Sequence, residues 1–369
     1  MLRAPGAPFT YDGGHYAYPK IDLIYWAGGN PFHHHQDLHA LSDAWQRPAT
    51  IIVHEQVWNA TALMADIVLP ATTTLERSDI GYASNGGHMV AMHPVVPPVG
   101  EALNDYEIFR RLSAVLGTEA SFTEGRTSSE WLAWMYDQSR EDAKRVGIAL
   151  PDYAQFLEQG LLLFEDAADE TSFIRAFRQD PAKAPLPTPS GKIELFSATI
   201  AGFDLDDCPG HPVWLPPAEY LGDADAAMNA ASSAAYEAYP FHLISDQPAT
   251  RLHSQYAHAA PSQSVRINGL ERVDINRQDA EKLGIEDRST VCLSNARGIL
   301  LATACLREDI ASHVLRMSTG AWFETHLGPE TAQRTGNPNV LTADRSASSF
   351  SQGCSAQTCR VQLTKHAVT

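Results

Sequence analysis

Cysteine is scarce in this chain, with five in 369 residues: Cys208, Cys292, Cys305, Cys354 and Cys359. The number is odd and no CxxC pair occurs. A disulfide framework, or a zinc or iron–sulfur site built from this chain alone, is therefore not expected. Basic residues are outnumbered as well, 27 Lys and Arg against 44 Asp and Glu, for a formal net charge of −17. Nucleic acid and anionic membranes are polyanions, so neither is expected as a partner. A phosphorylated ligand would have to be met locally, by backbone amides, helix N-termini or a few arginines. No apolar run reaches the ~18 residues expected of a membrane span. The opening MLRAPGAPFTYDGG lacks the basic-then-apolar order of a signal peptide. No GxxxxGK[ST] loop, HExxH pair or nucleophile elbow is present, so no acid–base machinery is expected here, and no catalytic or metal-ligating residue is assigned.

What is present is a core-forming composition, 44% hydrophobic, in a chain long enough for two or three domains. Residues 9–18 read as a hairpin arm around Asp12-Gly13. An opening inside a sheet suggests a truncated or split gene. Residues 21–28 (IDLIYWAG) form a nearly continuous apolar run, expected to be a buried parallel strand. A helix over 35–45, a strand over 49–53, a short helix over 61–66 and a strand over 67–69 follow. That alternation predicts an α/β unit with a parallel sheet. A further helix is expected over 106–117, closed by Gly117. Residues 126–183 read as helical and charged, and SGKIELF at 190–196 as a turn into a strand. The acidic, then Pro-rich, then Ala/Ser-rich stretch 203–235 reads as a linker. Beyond it, short strands over 241–244, 273–275, 290–293, 298–304, 313–317 and 358–363 predict a small β-barrel. The domains are thus 1–235 and 236–369.

Several polar constellations fall at strand ends and in loops. Gly28-Gly29-Asn30-Pro31 ends the first strand, where paired glycines admit a phosphate close to the backbone; a plain strand-to-helix turn reads the same way. Glu55 ends the next strand, at the position where an acid accepts from ribose hydroxyls. His33, His34 and His35 are consecutive and, from one short loop, do not easily converge on an ion. Glu76-Arg77-Ser78-Asp79 and Asp105 bring carboxylates that could pair a guanine edge, although Asp105 also suits a helix N-cap. In the second domain, residues 247–255 (QPATRLHSQ), 336–339 (GNPN) and 351–357 (SQGCSAQ) are loops dense in amides. Such loops are either solvated turns or readers of a polar heterocycle.

Taken in order, YWAGGNPFHHHQDL, TIIVHEQVWNATALMADIVLPATTTLERSDI, TPSGKIELFS, RLHSQ, NARG, STGAWF, GNPNVLT and SQGCSAQ resemble the second half of the dimethyl sulfoxide reductase family of molybdopterin oxidoreductases, from about residue 19 to 364. HHHQDL and GAWF look most like its biotin sulfoxide and trimethylamine N-oxide reductase branch. The resemblance implies an incomplete α/β parallel-sheet nucleotide-binding domain followed by a double-psi β-barrel. It implies one molybdenum held by two molybdopterin guanine dinucleotides, and oxygen-atom transfer from a small S-oxide or N-oxide. By the same resemblance, Gly28, Gly29, Asn30 and His34 line the diphosphate and guanosine loop, and His54 and Glu55 the ribose. Arg77 and Asp105 reach the far nucleotide end, with Asp105 on guanine. Arg251, His253, Ser254, Gln255, Asn337, Asn339, Gln352 and Gln357 contact pterin and diphosphate.

Two departures stand out. The branch often has a histidine at Gln247, and Gly-Thr-Ser where this chain has Arg345-Ser346-Ala347-Ser348. The resemblance also places the molybdenum ligand, a serine, and the substrate pocket in the N-terminal half, here expected from the same or a separate chain. Any export signal would precede that half, so the compartment, cytoplasmic or periplasmic, stays open. Alone, the chain is expected to bind cofactor without turnover. A nonenzymatic nucleotide- or pterin-binding protein and a histidine-dependent metal hydrolase are the competing readings.

Overall fold

The computed structural model describes residues 1–82, 87–164, 173–221, 238–355 and 359–366. In chain order the first strands are β1 (Pro8–Tyr11), β2 (Gly14–Ala17), β3 (Leu23–Ala27), β4 (Thr50–Glu55) and β5 (Ile67–Pro70). Then come β6 (Asp79–Tyr82), β7 (His88–Met92) and β8 (Leu161–Leu163). The last are β9 (Phe241–Asp246), β10 (Arg272–Asn276), β11 (Thr290–Asn295), β12 (Gly298–Arg307), β13 (Val314–Ser318) and β14 (Cys359–Lys365). Four helices matter most for the site: α1 (Pro31–His34), α2 (Leu38–Trp45), α3 (Ala60–Leu63) and α4 (Asp105–Val115). By contacts the chain forms two compact units. One comprises Met1–Ile52, Trp58–Asp66 and Phe196–Thr369, the other Val53–Val57 and Ile67–Leu195. The boundary expected at 235/236 lies outside the described residues.

The first unit is built on a closed barrel of six strands, in the order β10-β12-β11-β14-β9-β13. Pairs β10–β12 and β13–β9 are parallel and the other four are antiparallel. Closure leaves no unpaired edge to template aggregation. Alternate residues point inward, so Val273 and Ile275 of β10, Val291 and Leu293 of β11, and Leu315 and Met317 of β13 are all at most 1% exposed. Each such side chain contributes roughly 1.5–3 kcal/mol by leaving water, and this period-2 pattern marked the strands in the sequence. The same unit carries the β1–β2 hairpin, where Tyr11 pairs with Gly14 across a two-residue turn. Asp12 (φ +48°) and Gly13 (φ +72°) both lie in the left-handed region that such a turn requires.

Helix α2 starts where the Asp37 side chain accepts from the Ala40 N–H at 3.2 Å, and it buries Leu38 and Trp45. One expectation fails here: β3 forms, but its residues are exposed or half-buried, with Leu23 at 52%. The apolar run is real; this chain covers only part of it.

In the second unit β6, β7 and β8 form an antiparallel sheet, and Ala91, Tyr136 and Phe156 make its core. The charged helices expected over 126–183 include Ser128–Arg145 and Tyr153–Gln159, each opened by a reciprocal capping box. The strand expected at 190–196 does not form, although the turn before it does. Ile193, Leu195 and Phe196 are 70%, 78% and 56% exposed. An extended segment with no ladder partner among the described residues has nothing to hold it as a strand. All five cysteines are free thiols, and no described helix is long and apolar enough to cross a membrane.

Candidate cofactor-binding site

Within the first unit, loops more than 200 residues apart in sequence meet. Asn30 ends the turn after β3 in an extended conformation and is 6% exposed. Its amide donates to Ser254 Oγ at 3.0 Å and accepts from Thr61 Oγ1 at 2.9 Å. One turn further, His33 Nε2 lies 3.3 Å from His253 Nδ1. Trp322 donates its indole N–H to the Ser254 carbonyl at 3.0 Å. The glycine-pair loop and the arginine–histidine loop are therefore one surface. Gly28 (φ +83°) and Gly29 (φ +77°) are exposed on it. A Cβ at Gly28 would meet nothing within 4 Å, so the backbone there is open to a close-approaching ligand.

The electrostatics of this surface are set by imidazoles. Burial, with His34, His253 and Arg251 nearby, lowers His33 to about 4. Burial and the neighbouring His253 and His35 lower His34 as well. Held neutral, each ring offers one N–H and one lone pair. The buried His33 Nδ1 has no hydrogen-bond partner among the described residues.

Arg251, Asn337 and Asn339 sit beneath this surface, with their side chains engaged by the chain itself. Arg251 donates to the Thr319 carbonyl through Nε (3.0 Å) and Nη2 (2.7 Å), and to Glu271 Oε1 through Nη1 (2.9 Å). Asn337 donates to the Phe32 and Ala321 carbonyls, and Asn339 to the His33 carbonyl at 2.8 Å. These amides hold α1 against the barrel. Gln255 and Gln352 are exposed, Gln352 donating to the Thr10 carbonyl at 3.3 Å. Gln357 lies outside the described residues. Gln247, the departure from the branch pattern, donates to the Arg251 carbonyl at 2.8 Å and closes its own loop. Arg345, the other departure, is exposed.

His54, Glu55, Arg77 and Asp105 belong to the second unit. The buried His54 Nδ1 lies 2.8 Å from Asp105 Oδ1, whose side chain is 52% exposed. The N-cap of α4 is Asn104, which accepts from the Glu107 N–H at 2.8 Å. Asp105 is thus the first helical residue, oriented by His54 with part of its carboxylate facing solvent. Arg77 is held by the Thr72 carbonyl (2.9 Å) and Asp79 (3.3 Å). Glu55 is half-buried and accepts from the Gln56 N–H at 2.8 Å.

Sequence reasoning missed His33, Glu271 and Gly320 as parts of this arrangement. His33 opens the polar run His33–Asp37, in which no spacing singles it out from His34 and His35. Gly320, two residues past the end of β13 in the STGAWF stretch, carries a usable signal: a lone glycine at a strand end can mark close backbone approach.

Residues 14–115 match the molybdopterin oxidoreductase family model. Residues 241–360 match the molydopterin dinucleotide binding domain model. The chain is 45% identical to biotin sulfoxide reductase of Cereibacter sphaeroides, over 100% of this chain and 48% of that protein. It is 40% identical to trimethylamine-N-oxide reductase of Haemophilus influenzae, over 99% of this chain and 44% of that protein. It spans about half the length of the curated relatives it matches. Acetylene hydratase from Pelobacter acetylenicus shares the fold, with a TM-score of 0.69 at 18% identity, over 95% of this chain and 45% of that one. With both family models matched in order and the reductases aligned along its whole length, the chain belongs to the dimethyl sulfoxide reductase family of molybdopterin oxidoreductases.

Proposed function

We propose that this chain is the C-terminal half of a molybdenum bis(molybdopterin guanine dinucleotide) reductase of S-oxides or N-oxides. One observation carries the reading: the junction of the glycine-pair loop with the arginine–histidine loop through Asn30–Ser254 and His33–His253. The residues fit the group. The open backbone at Gly28, the exposed His34, His253 and Gln255, and the unpartnered His33 Nδ1 supply donors and acceptors to a polar, phosphate-linked heterocycle. No cation is needed in this set, which suits a chain of net charge −17 that meets phosphate through backbone and neutral groups. When bound, the cofactor supplies two-electron oxygen-atom transfer, while the protein binds and orients it.

In this reading Gly28, Gly29, Asn30 and His34 take diphosphate and guanosine. His253, Ser254 and Gln255 take pterin, and Arg251, Asn337 and Asn339 hold those loops in place. In the second unit His54 and Glu55 serve the ribose, and Arg77 and Asp105 the far nucleotide end, with Asp105 on guanine. The domains are 1–235, an α/β nucleotide-binding domain, and 236–369, a double-psi β-barrel. The two parallel pairs inside the six-stranded barrel support the latter. The molybdenum ligand would come from an N-terminal half. Exposed Trp58 (67%), Val99 (77%), Val115 (86%) and Trp214 (76%) support further protein packing on this chain.

Two outcomes follow. Supplied with cofactor, the purified chain shows no reduction of S-oxide or N-oxide; turnover by the chain alone contradicts the proposed division of labour. Asp105→Asn replaces an acceptor of guanine N–H donors with an amide of equal size. A charged hydrogen bond contributes about 1.5–3 kcal/mol, so GDP binding to the full chain weakens by roughly 10- to 100-fold. Binding of ADP changes little. Equal GDP affinity in variant and parent removes Asp105 from the site.

A further inference from the structure

We propose that Glu219 is a positioning residue for the cofactor surface: through Arg297 it fixes the Leu341 carbonyl and, with it, the loop that holds α1 against the barrel. The NARG motif has no place in the site described above, and its arginine is Arg297. Glu219 comes from the segment that reads as a linker from residue 203. Over its described part that segment is tied down instead. Phe203 stacks on Phe350, and Asp207 Oδ2 accepts from the Ser349 N–H at 2.8 Å and from its hydroxyl at 2.9 Å.

Glu219 Oε1 accepts from Arg297 Nη1 at 2.7 Å, and Oε2 from Nη2 at 2.8 Å. Oε2 also accepts from the Arg360 N–H at 2.9 Å, which anchors the acid on β14. A guanidinium is a rigid planar fork, so a carboxylate that takes both Nη groups sets the direction of the remaining Nε–H. That N–H donates to the Leu341 carbonyl at 2.6 Å. Asn295 donates to the same oxygen at 2.8 Å, and the buried Cys359 thiol at 3.2 Å.

Leu341 passes this position on to α1. Its own N–H closes the turn Pro338–Val340 on the Pro338 carbonyl at 2.9 Å. In that turn Asn339 holds the His33 carbonyl, and Asn337 just before it holds the Phe32 carbonyl. Just after Leu341, the Thr342 carbonyl accepts from the Asp37 N–H at 3.0 Å. Every side chain on this path is buried or half-buried, where hydrogen bonds are least weakened by water. That α1 serves a dinucleotide rests on the proposed function; the link from Glu219 to α1 does not.

The test uses the full chain. Glu219→Gln keeps the size but sets an amide NH2 against one guanidinium NH2, which opens the fork. Asp279→Asn is the control: that acid is equally part of the barrel unit, but it holds Ser312 and the His313 N–H and no part of this path. In hydrogen exchange, Glu219→Gln speeds the Asp37 and His35 amides by about tenfold or more through local opening, while Val291 and Leu293 of β11 exchange as in the parent. Binding of GDP to this variant weakens roughly tenfold, because the loops must then be ordered on binding. Asp279→Asn unfolds at a lower urea concentration but keeps parental exchange at Asp37 and His35 and parental GDP affinity. Parental exchange at Asp37 and His35 in Glu219→Gln overturns the link. So does an equal rise throughout β11, which makes Glu219 a general support of the barrel. Parental GDP affinity despite faster exchange overturns the positioning role. A parent chain that binds no GDP sinks the proposed function instead, and the exchange result still decides the link. Should Glu219→Gln fail to fold, Arg297→Lys takes its place, since a point charge lacks the fork; the same pattern is expected, and parental exchange at Asp37 and His35 again overturns the link.

Discussion

Glu271→Gln destabilises the barrel unit by about 3–5 kcal/mol, the cost of leaving a buried charge without its partner. The Glu271 side chain is 6% exposed and faces two guanidinium groups. Its Oε1 accepts from Arg251 Nη1 at 2.9 Å and from Arg266 Nε at 3.2 Å. The Arg251 side chain is fully buried and that of Arg266 is 11% exposed, so neither finds water when the carboxylate is neutralised. Gly336 (φ +81°) leaves room for the Glu271 Cβ, which a Cβ at 336 would approach to 2.6 Å. The acid is therefore fixed in place as well as paired. Urea unfolding reads the loss directly. The double variant Glu271→Gln with Arg251→Met is expected to recover part of it, because it also removes the more deeply buried of the two stranded cations and leaves only Arg266. A Glu271→Gln protein as stable as its parent would mean that the pair contributes nothing. The loop bearing His253 and Ser254 would then owe its position to other contacts.

The barrel was legible because its inward residues alternate with outward ones. Val291 and Leu293, or Leu315 and Met317, are separated by residues facing the other way, and the expected strands fall on β9 to β14 within a few residues. The strand expected over 190–196 misled because IELF alternates in the same way, and local pattern carries no information about whether a neighbour exists to pair with. The run IDLIYWAG was read as a buried strand; the strand formed, but its burial depends on what lies across the sheet face rather than on its own composition.

For the site, the motifs located the loops but did not divide the labour within them. Arg251, Asn337 and Asn339 sit in polar loops that read as ligand-facing. Their partners, Glu271, Ala321, Phe32 and His33, are set by tertiary contact and cannot be read from the loops themselves. The reverse holds for Asp105. Its neighbour Asn104 takes the capping role that the sequence left open between ligand and helix, and His54 holds the freed carboxylate. A helix start flanked by Asn and Asp leaves one residue of ambiguity that only the backbone angle settles.

Gly320→Ala is expected to cost about 3 kcal/mol or more and to displace the His253 loop. Gly320 directly follows Thr319, whose carbonyl receives Arg251, and it sits at φ +94°. A Cβ there would lie 1.8 Å from the His253 carbonyl oxygen and 2.9 Å from Arg251 Nε. Two costs add. The left-handed backbone penalises an L side chain by about 1–2 kcal/mol, and forcing a methyl into packed atoms costs about 1–3 kcal/mol more. Gly284→Ala separates them, because Gly284 shares a positive φ (+64°) but has nothing within 4 Å of an added Cβ. That variant loses only the backbone part. The clash has a consequence the strain lacks: relieving it shifts the backbone at 320 and 253 apart, and residue 253 adjoins Ser254, which receives the Asn30 amide. Gly320→Ala should therefore unfold at a clearly lower urea concentration than Gly284→Ala. If the two alanine variants unfold at the same urea concentration, close approach at Gly320 is not what positions His253.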